Sequence, residues 1–208
     1  MKAPTTVSSL EKFGRIRLSK SFFMRDFLYS DIAAIHGLLN APDDPELAVM
    51  AGTRLCEDLL EPLQDRFGRL AIRSAYRSCA VNALGNAHGH NCASNEANFA
   101  GHIWDRRDGQ NRMGATACIV VPSFLDAFFE HGSWTSLAWW IHDHLPYSRL
   151  EFFPNLWAFN IQWREAPERR IDSYTTPKGC LTKPGMANHG IGHKTDWTGI
   201  ELAMVRHT

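Results

Sequence analysis

The sequence predicts an α+β domain with a largely antiparallel sheet, and three observations carry that expectation. A segment around residue 50 repeats its apolar residues at helical spacing. Short β-rich runs stand apart from it in the middle of the chain. Two more such runs, "RLEFF" and "LWAFNIQW", flank a Pro154-Asn155 turn and read as a closing hairpin. With 208 residues and 44% hydrophobic content, the chain is long enough to bury one sizeable core.

Taken in order, residues 1 to 20 read as a loosely held N-terminal arm, ahead of a main domain over residues 21 to 165. "APDDPELAVMAGTRLCEDLLEPLQDRFG" opens with the proline and acidic residues that suit a helix start. It spaces Leu47, Met50, Ala51, Leu55, Leu59 and Leu63 along one face until Gly68 supplies a stop. "LAIRSAY" reads as a strand with Leu70, Ile72 and Ser74 on one side. Ser78 caps a short helix that Gly85 ends. From Asn86 to Gly114 the composition turns to Asn, Gly, His, Asp and Arg, which predicts a long surface loop. "ATACIVV" is a strand closed by Pro122, and "SFLDAFFEHG" and "SWTSLAWWIHDHL" are helices. Residues 166 to 208 lack periodicity and predict an irregular extension packed on the domain.

Charge and cysteine usage narrow the function classes. Lys+Arg and Asp+Glu both number 22, so no basic field gathers nucleic acid or an anionic membrane. No stretch approaches the apolar length of a membrane span or of a signal peptide, and five cysteines without CxxC spacing read as reduced thiols, so a cytoplasmic location is expected. Release by lysis or association with a phage particle fits the same features.

The middle of the chain carries a specific order: "LLEPLQDRFG", then "SAYRSCAVN", a His-bearing segment ending in "FAGH", then "GATACIVV". This order resembles the M15 zinc peptidase family, the D-Ala-D-Ala carboxypeptidases with the Hedgehog-like fold, over about residues 18 to 165. Ser74, Tyr76, Arg77, Ser78 and Asn82 fall on the family's SGYRSxxxN pattern, with Ala75 in place of its glycine. The resemblance implies a zinc-dependent hydrolase related to peptidoglycan carboxypeptidases, acting on a peptide or peptidoglycan-like ligand. It places His102 as first zinc ligand, Cys118 where the family has an aspartate ligand, and Arg77 where an arginine holds the substrate's carbonyl or carboxylate. "AFNIQW" overlays the family's third-ligand strand, so Asn160 stands at the histidine position and Trp157 at the catalytic glutamate. Ala100 replaces a motif serine, and "WDRRDGQNRM" is an insert before Gly114.

Each of these residues also has a plainer reading. Cys118 is a small buried hydrophobe, Arg77 a structural ion pair, and His88 and His90 solvated loop residues. Asp105 orients His102 or belongs to a solvated charge run. His142 and His144 reach a metal or cap a helix end, Glu151 or Asp105 supplies a missing carboxylate, and Trp139 and Trp140 stack on a ligand or fill the core. An asparagine is a poor zinc ligand and a tryptophan is no base. The second expectation is therefore a non-catalytic relative that keeps fold and cleft as a binding or structural module. A thiol hydrolase pairing Cys118 with His102 is the third.

Overall fold

The long helix forms where the sequence places it. In the computed structural model, which describes residues 1–130 and 132–204 and the side chains of these except 201–204, two short helices, α1 (Val7–Gly14) and α2 (Asp31–His36), precede α3 (Pro45–Leu55). The Asp44 side chain accepts the Leu47 N–H and Pro45 takes the first turn, where its missing N–H costs nothing. A π-turn over Cys56–Leu60 joins α3 to α4 (Glu61–Phe67), with the Glu61 N–H bonded to the Cys56 carbonyl. That wide turn explains the core face. Leu47, Ala51, Leu55, Leu59, Leu63 and Phe67 recur every fourth residue, a spacing that drifts by about 40° per step on an ideal α-helix. One extra residue in the π-turn offsets about 100° of the drift, and all six stay buried. Met50 lies outside this row and is exposed, contrary to the expectation from spacing.

The remaining elements are β1 (Ala71–Ser74), α5 (Cys79–Ala87), α6 (Asn95–Asn98), β2 (Gly114–Val120), α7 (Pro122–Phe128), α8 (Trp134–His144), β3 (Arg149–Phe152), β4 (Phe159–Arg164), β5 (Arg170–Ser173), β6 (Gly179–Thr182) and α9 (Lys194–Met204). The six strands form one sheet in the order β1-β2-β4-β3-β5-β6, antiparallel throughout except for the parallel pair β3–β5. The architecture is thus α+β with a largely antiparallel sheet, and β3 and β4 form the expected closing hairpin.

Strand alternation separates the two faces. Ala115, Ala117 and Ile119 of β2, Leu150 and Phe152 of β3, and Phe159 and Ile161 of β4 are buried in one core with α3, α4 and α8. Directly opposite pairs run Ser74, Cys118, Asn160, Glu151 and Asp172 across β1, β2, β4, β3 and β5, giving a polar rung on the other face. Ser74 belongs to this rung because of a bulge: Ile72 opposes Ile119, whereas Ser74 opposes Cys118. The extra residue turns Ser74 away from the side of Ile72, where simple alternation had put it.

Three segments depart from expectation. The N-terminal arm is held, since Phe13 and Leu18 enter the core and the Glu61 carboxylate accepts hydrogen bonds from the Ser19 and Ser21 hydroxyls at 2.7 and 2.9 Å. Residues 98–106 of the expected surface loop are packed, whereas 88–91 and 109–112 are exposed as expected. Ala100, His102, Ile103, Trp104 and Asp105 are buried, and the Trp104 indole donates to the Thr116 carbonyl at 3.1 Å. Extra apolar residues within a polar composition pull this stretch inward. The extension after residue 165 adds β5 and β6 to the sheet and docks α9 on α8, where the Trp197 indole donates to Asp143 at 2.7 Å and His193 stacks on Trp139 at 3.6 Å. Its strands are four residues each, too short to show a period in sequence. Residues 205–208 of that extension lie outside the described residues. Among the described residues no helix is long and apolar enough to cross a membrane.

Candidate functional site

The polar rung of the sheet forms the floor of a cleft of about 700 Å³, and the segment from His90 to His102 forms its wall. Arg77, His102, Cys118 and Asn160 all line it, together with Ser74, Cys92, Asn98, Glu151, Phe153 and Tyr174. Four of the five residues that the family resemblance maps to site roles are therefore neighbours in space, although 83 positions separate Arg77 from Asn160 in the chain, while the fifth, Trp157, does not line the cleft.

Arg77 sits in a corner whose backbone is fixed from three sides. The Arg77 N–H donates to the His102 carbonyl at 2.8 Å, and the Tyr76 N–H donates to Phe27 at 3.1 Å. Buried Asn40 donates to the Leu28 and Tyr76 carbonyls and accepts the Ser78 N–H at 2.8 Å. Ser78 then caps α5 by accepting the Val81 N–H. The helix runs on through Gly85, which is interior and not its end. A Cβ there would stand 2.6 Å from the Cys92 sulfur and 2.8 Å from Ile32, so glycine lets the Cys92 thiol seat beside Arg77.

Fully buried Asn82 connects this corner to the wall. Its amide donates to the Ala93 carbonyl at 3.0 Å and to Asn95 at 2.9 Å, while its oxygen accepts from Asn98 at 2.7 Å and from Arg77 at 3.4 Å. Asn98 in turn accepts the His102 N–H. Every amide of this trio is engaged, so the positions of Arg77 and His102 are set by one network.

His102 is buried, and its Nδ1–H donates to the Ala75 carbonyl at 2.7 Å, which leaves Nε2 with its lone pair. Burial, aided by the positive charge of Arg77, pushes its pKa down to about 3, so the ring is neutral throughout the physiological range. The Asn160 amide is within hydrogen-bonding reach of the same ring and donates to the Glu151 carboxylate at 3.0 Å. Cys118 is half-buried on β2 and points into the cleft, not the core. Burial pushes its thiol up to about 11 against the pull of Arg73 and Arg77. Both shifts run against a thiolate–imidazolium pair.

Arg77 is the exception in this network. Its guanidinium is half-buried, and burial lowers its pKa, yet an arginine stays cationic. Its side-chain partners are neutral, Asn82 at 3.4 Å and the Cys92 thiol at 3.1 Å. No Asp or Glu among the described residues pairs with it, so the expectation of a structural ion pair is replaced by a cation facing the cleft.

Other candidates lie elsewhere. The Asp105 carboxylate accepts from Tyr76 at 3.2 Å, from the Asp43 N–H at 2.8 Å and from Arg106, and it does not orient His102, whose Nδ1 partner is the Ala75 carbonyl. His142 bonds Tyr147 and the His189 carbonyl, and His144 donates to the Trp140 carbonyl, all away from the cleft. Trp157 packs on Phe124 and Phe129, and Trp139 and Trp140 are in the core. His88 and His90 are exposed, with His90 at the cleft rim, and all five cysteines are free thiols. Sequence reasoning missed Asn40, Cys92, Asn98 and the Phe153–Tyr174 ring pair, stacked 5.6 Å apart at the cleft edge. None belongs to a spacing pattern that marks it.

Comparison of the chain with family models, with curated proteins and with solved structures finds no match. The chemistry is therefore read from the donors themselves. His102 Nε2 and the Cys118 sulfur are sound zinc donors, but the third position is an amide, and no group of three His, Cys, Asp or Glu side chains among the described residues is placed to hold a metal. The carboxylate nearest this position, Glu151, is bonded to Asn160. This set does not fit a three-ligand zinc centre with a free general base.

Proposed function

We propose that the protein is a non-catalytic member of the Hedgehog/DD-peptidase type, and that its cleft binds a peptide-like ligand through a carboxylate held by Arg77. The observation that carries this reading is a cation in a walled cleft with no anionic partner of its own. Desolvating a guanidinium without a counter-charge is costly, and a bidentate carboxylate offsets that cost. Around it, the Asn98 amide, which gives one N–H to Asn82, keeps a second N–H for a peptide carbonyl. The fold type rests on the "SAYRSCAVN" corner and on the arrival of His102, Cys118 and Asn160 in one cleft.

A zinc hydrolase acting on peptidoglycan-like peptides is the second reading, favoured by the shared cleft of His102 and Cys118. One experiment separates the two. The metal-stripped protein is titrated calorimetrically with an acetylated peptide ending in two D-alanines and with its amide. The mixture is then incubated with added zinc and analysed for free D-alanine. The proposal expects the acid to bind at least tenfold more tightly than the amide and to remain intact. Release of D-alanine that requires zinc and His102 would replace it with the hydrolase.

A further inference from the structure

The cleft does not end at Arg77. A second cavity of about 400 Å³ adjoins it, and the two share Ser74, Arg77, His90 and Cys92 in their walls. Its far wall is different in kind. Tyr29, Ile32 and Ile35 line it, and Tyr29 and Ile35 are 64% and 79% exposed, large apolar side chains left open to solvent beside a cation. The Tyr29 hydroxyl donates to the Asp31 carboxylate at 2.9 Å, and both residues line the cavity. The wall is anchored, since Ile32 packs against Gly85 in α5, next to the Cys92 sulfur.

We propose that this annex is a specificity subsite for a bulky apolar side chain, aromatic or branched aliphatic, on the residue whose carboxylate Arg77 holds. The inference rests on the reading of the main cleft as a carboxylate-binding site and adds the ligand class: a free peptide C-terminus ending in a large apolar residue. The argument is one of charge and size. Arg77 stands where the two cavities join, so an anion bound there carries its α-substituent into one of them. The main cleft presents amides and the Glu151 carboxylate, with the Phe153 and Tyr174 rings at its edge, whereas the annex, although Ser30, Asp31 and His36 also line it, presents the larger share of apolar surface. An alanine methyl, comparable to the roughly 30 Å³ share of a water molecule, would leave the annex filled with solvent. A phenylalanine or leucine side chain displaces that solvent from apolar surface.

The test uses the full chain and three acetylated tripeptides: alanyl-alanyl-phenylalanine, alanyl-alanyl-alanine, and the amide of the first. The proposal expects the phenylalanine acid to bind about tenfold or more tightly than the alanine acid, the scale of burying one large apolar side chain. Ile35→Ser should reduce that preference at least threefold while leaving the affinity for the alanine acid unchanged. Ile35 is exposed on α2, and circular dichroism checks that the variant is folded. Equal affinity for the two acids, with the acids preferred over the amide, overturns the annex and leaves the cleft reading standing. An amide that binds as well as its acid overturns both.

Discussion

Asn160 stands directly opposite Cys118 on one side and Glu151 on the other, and its amide donates to the Glu151 carboxylate at 3.0 Å. It also neighbours the His102 ring, so it joins the three groups that a hydrolytic metal site would need to keep free. An amide here ties Glu151 and the His102 ring into one hydrogen-bonded set beside Cys118.

Replacing that amide by an imidazole should reverse the effect. Asn160→His supplies a third strong donor beside His102 and Cys118 and frees Glu151. The variant is expected to bind zinc at least tenfold more tightly than the parent in competition with a chelating dye. Unchanged affinity would mean that His102 and Cys118 do not converge on a common point.

His102 makes acid stability a direct probe of its burial. Its folded pKa is about 3 against about 6.5 when unfolded. Below pH 6.5 the unfolded chain binds a proton that the folded chain refuses, so the contribution is complete above pH 6.5 and is lost as pH falls toward 3. His142 and His189, also lowered by burial, act in the same direction, and the raised Asp105 carboxyl acts against them. His102→Asn isolates one term. Urea unfolding at pH 7 and pH 5 should show the parent losing about 2 kcal/mol more than the variant between the two.

Asn40 carries the geometry of Arg77 without touching the cleft. Asn40→Ala leaves the Leu28 and Tyr76 carbonyls and the Ser78 N–H without their side-chain partner, which should cost about 2–3 kcal/mol in urea unfolding. Affinity for an acidic peptide should fall as well, and its preference over the amide should shrink because the guanidinium is no longer aimed. A variant that loses stability and keeps the full preference would show that Arg77 is positioned by other contacts.

The legible parts of this protein are those set by local rules. Period and caps marked α3, α4 and the start of α5, and the turn at Pro154-Asn155 marked the hairpin. The site residues were visible only through the order of "SAYRSCAVN", His102 and "GATACIVV", because the contacts that join them are long-range. What stayed hidden has physical reasons. The bulge that turns Ser74 into the cleft is one extra residue in a four-residue strand. Gly85 looked like a helix end because its close approach to Cys92 is tertiary. The packed middle of the loop looked solvated because its Asn95 and Asn98 amides are satisfied by Asn82 and the Cys79 carbonyl, contacts that spacing does not reveal.

The central claim is that Arg77 is the anion-binding group of the cleft, and nuclear magnetic resonance of its guanidinium tests that most directly. With the arginine side chains labelled with nitrogen-15, the Arg77 signal, assigned by its loss in Arg77→Lys, is followed during titration with an acetylated peptide acid and with its amide. The account predicts a saturable shift of the Arg77 resonance with the acid and none with the amide. An Arg77 resonance that stays fixed while other cleft signals move would contradict it.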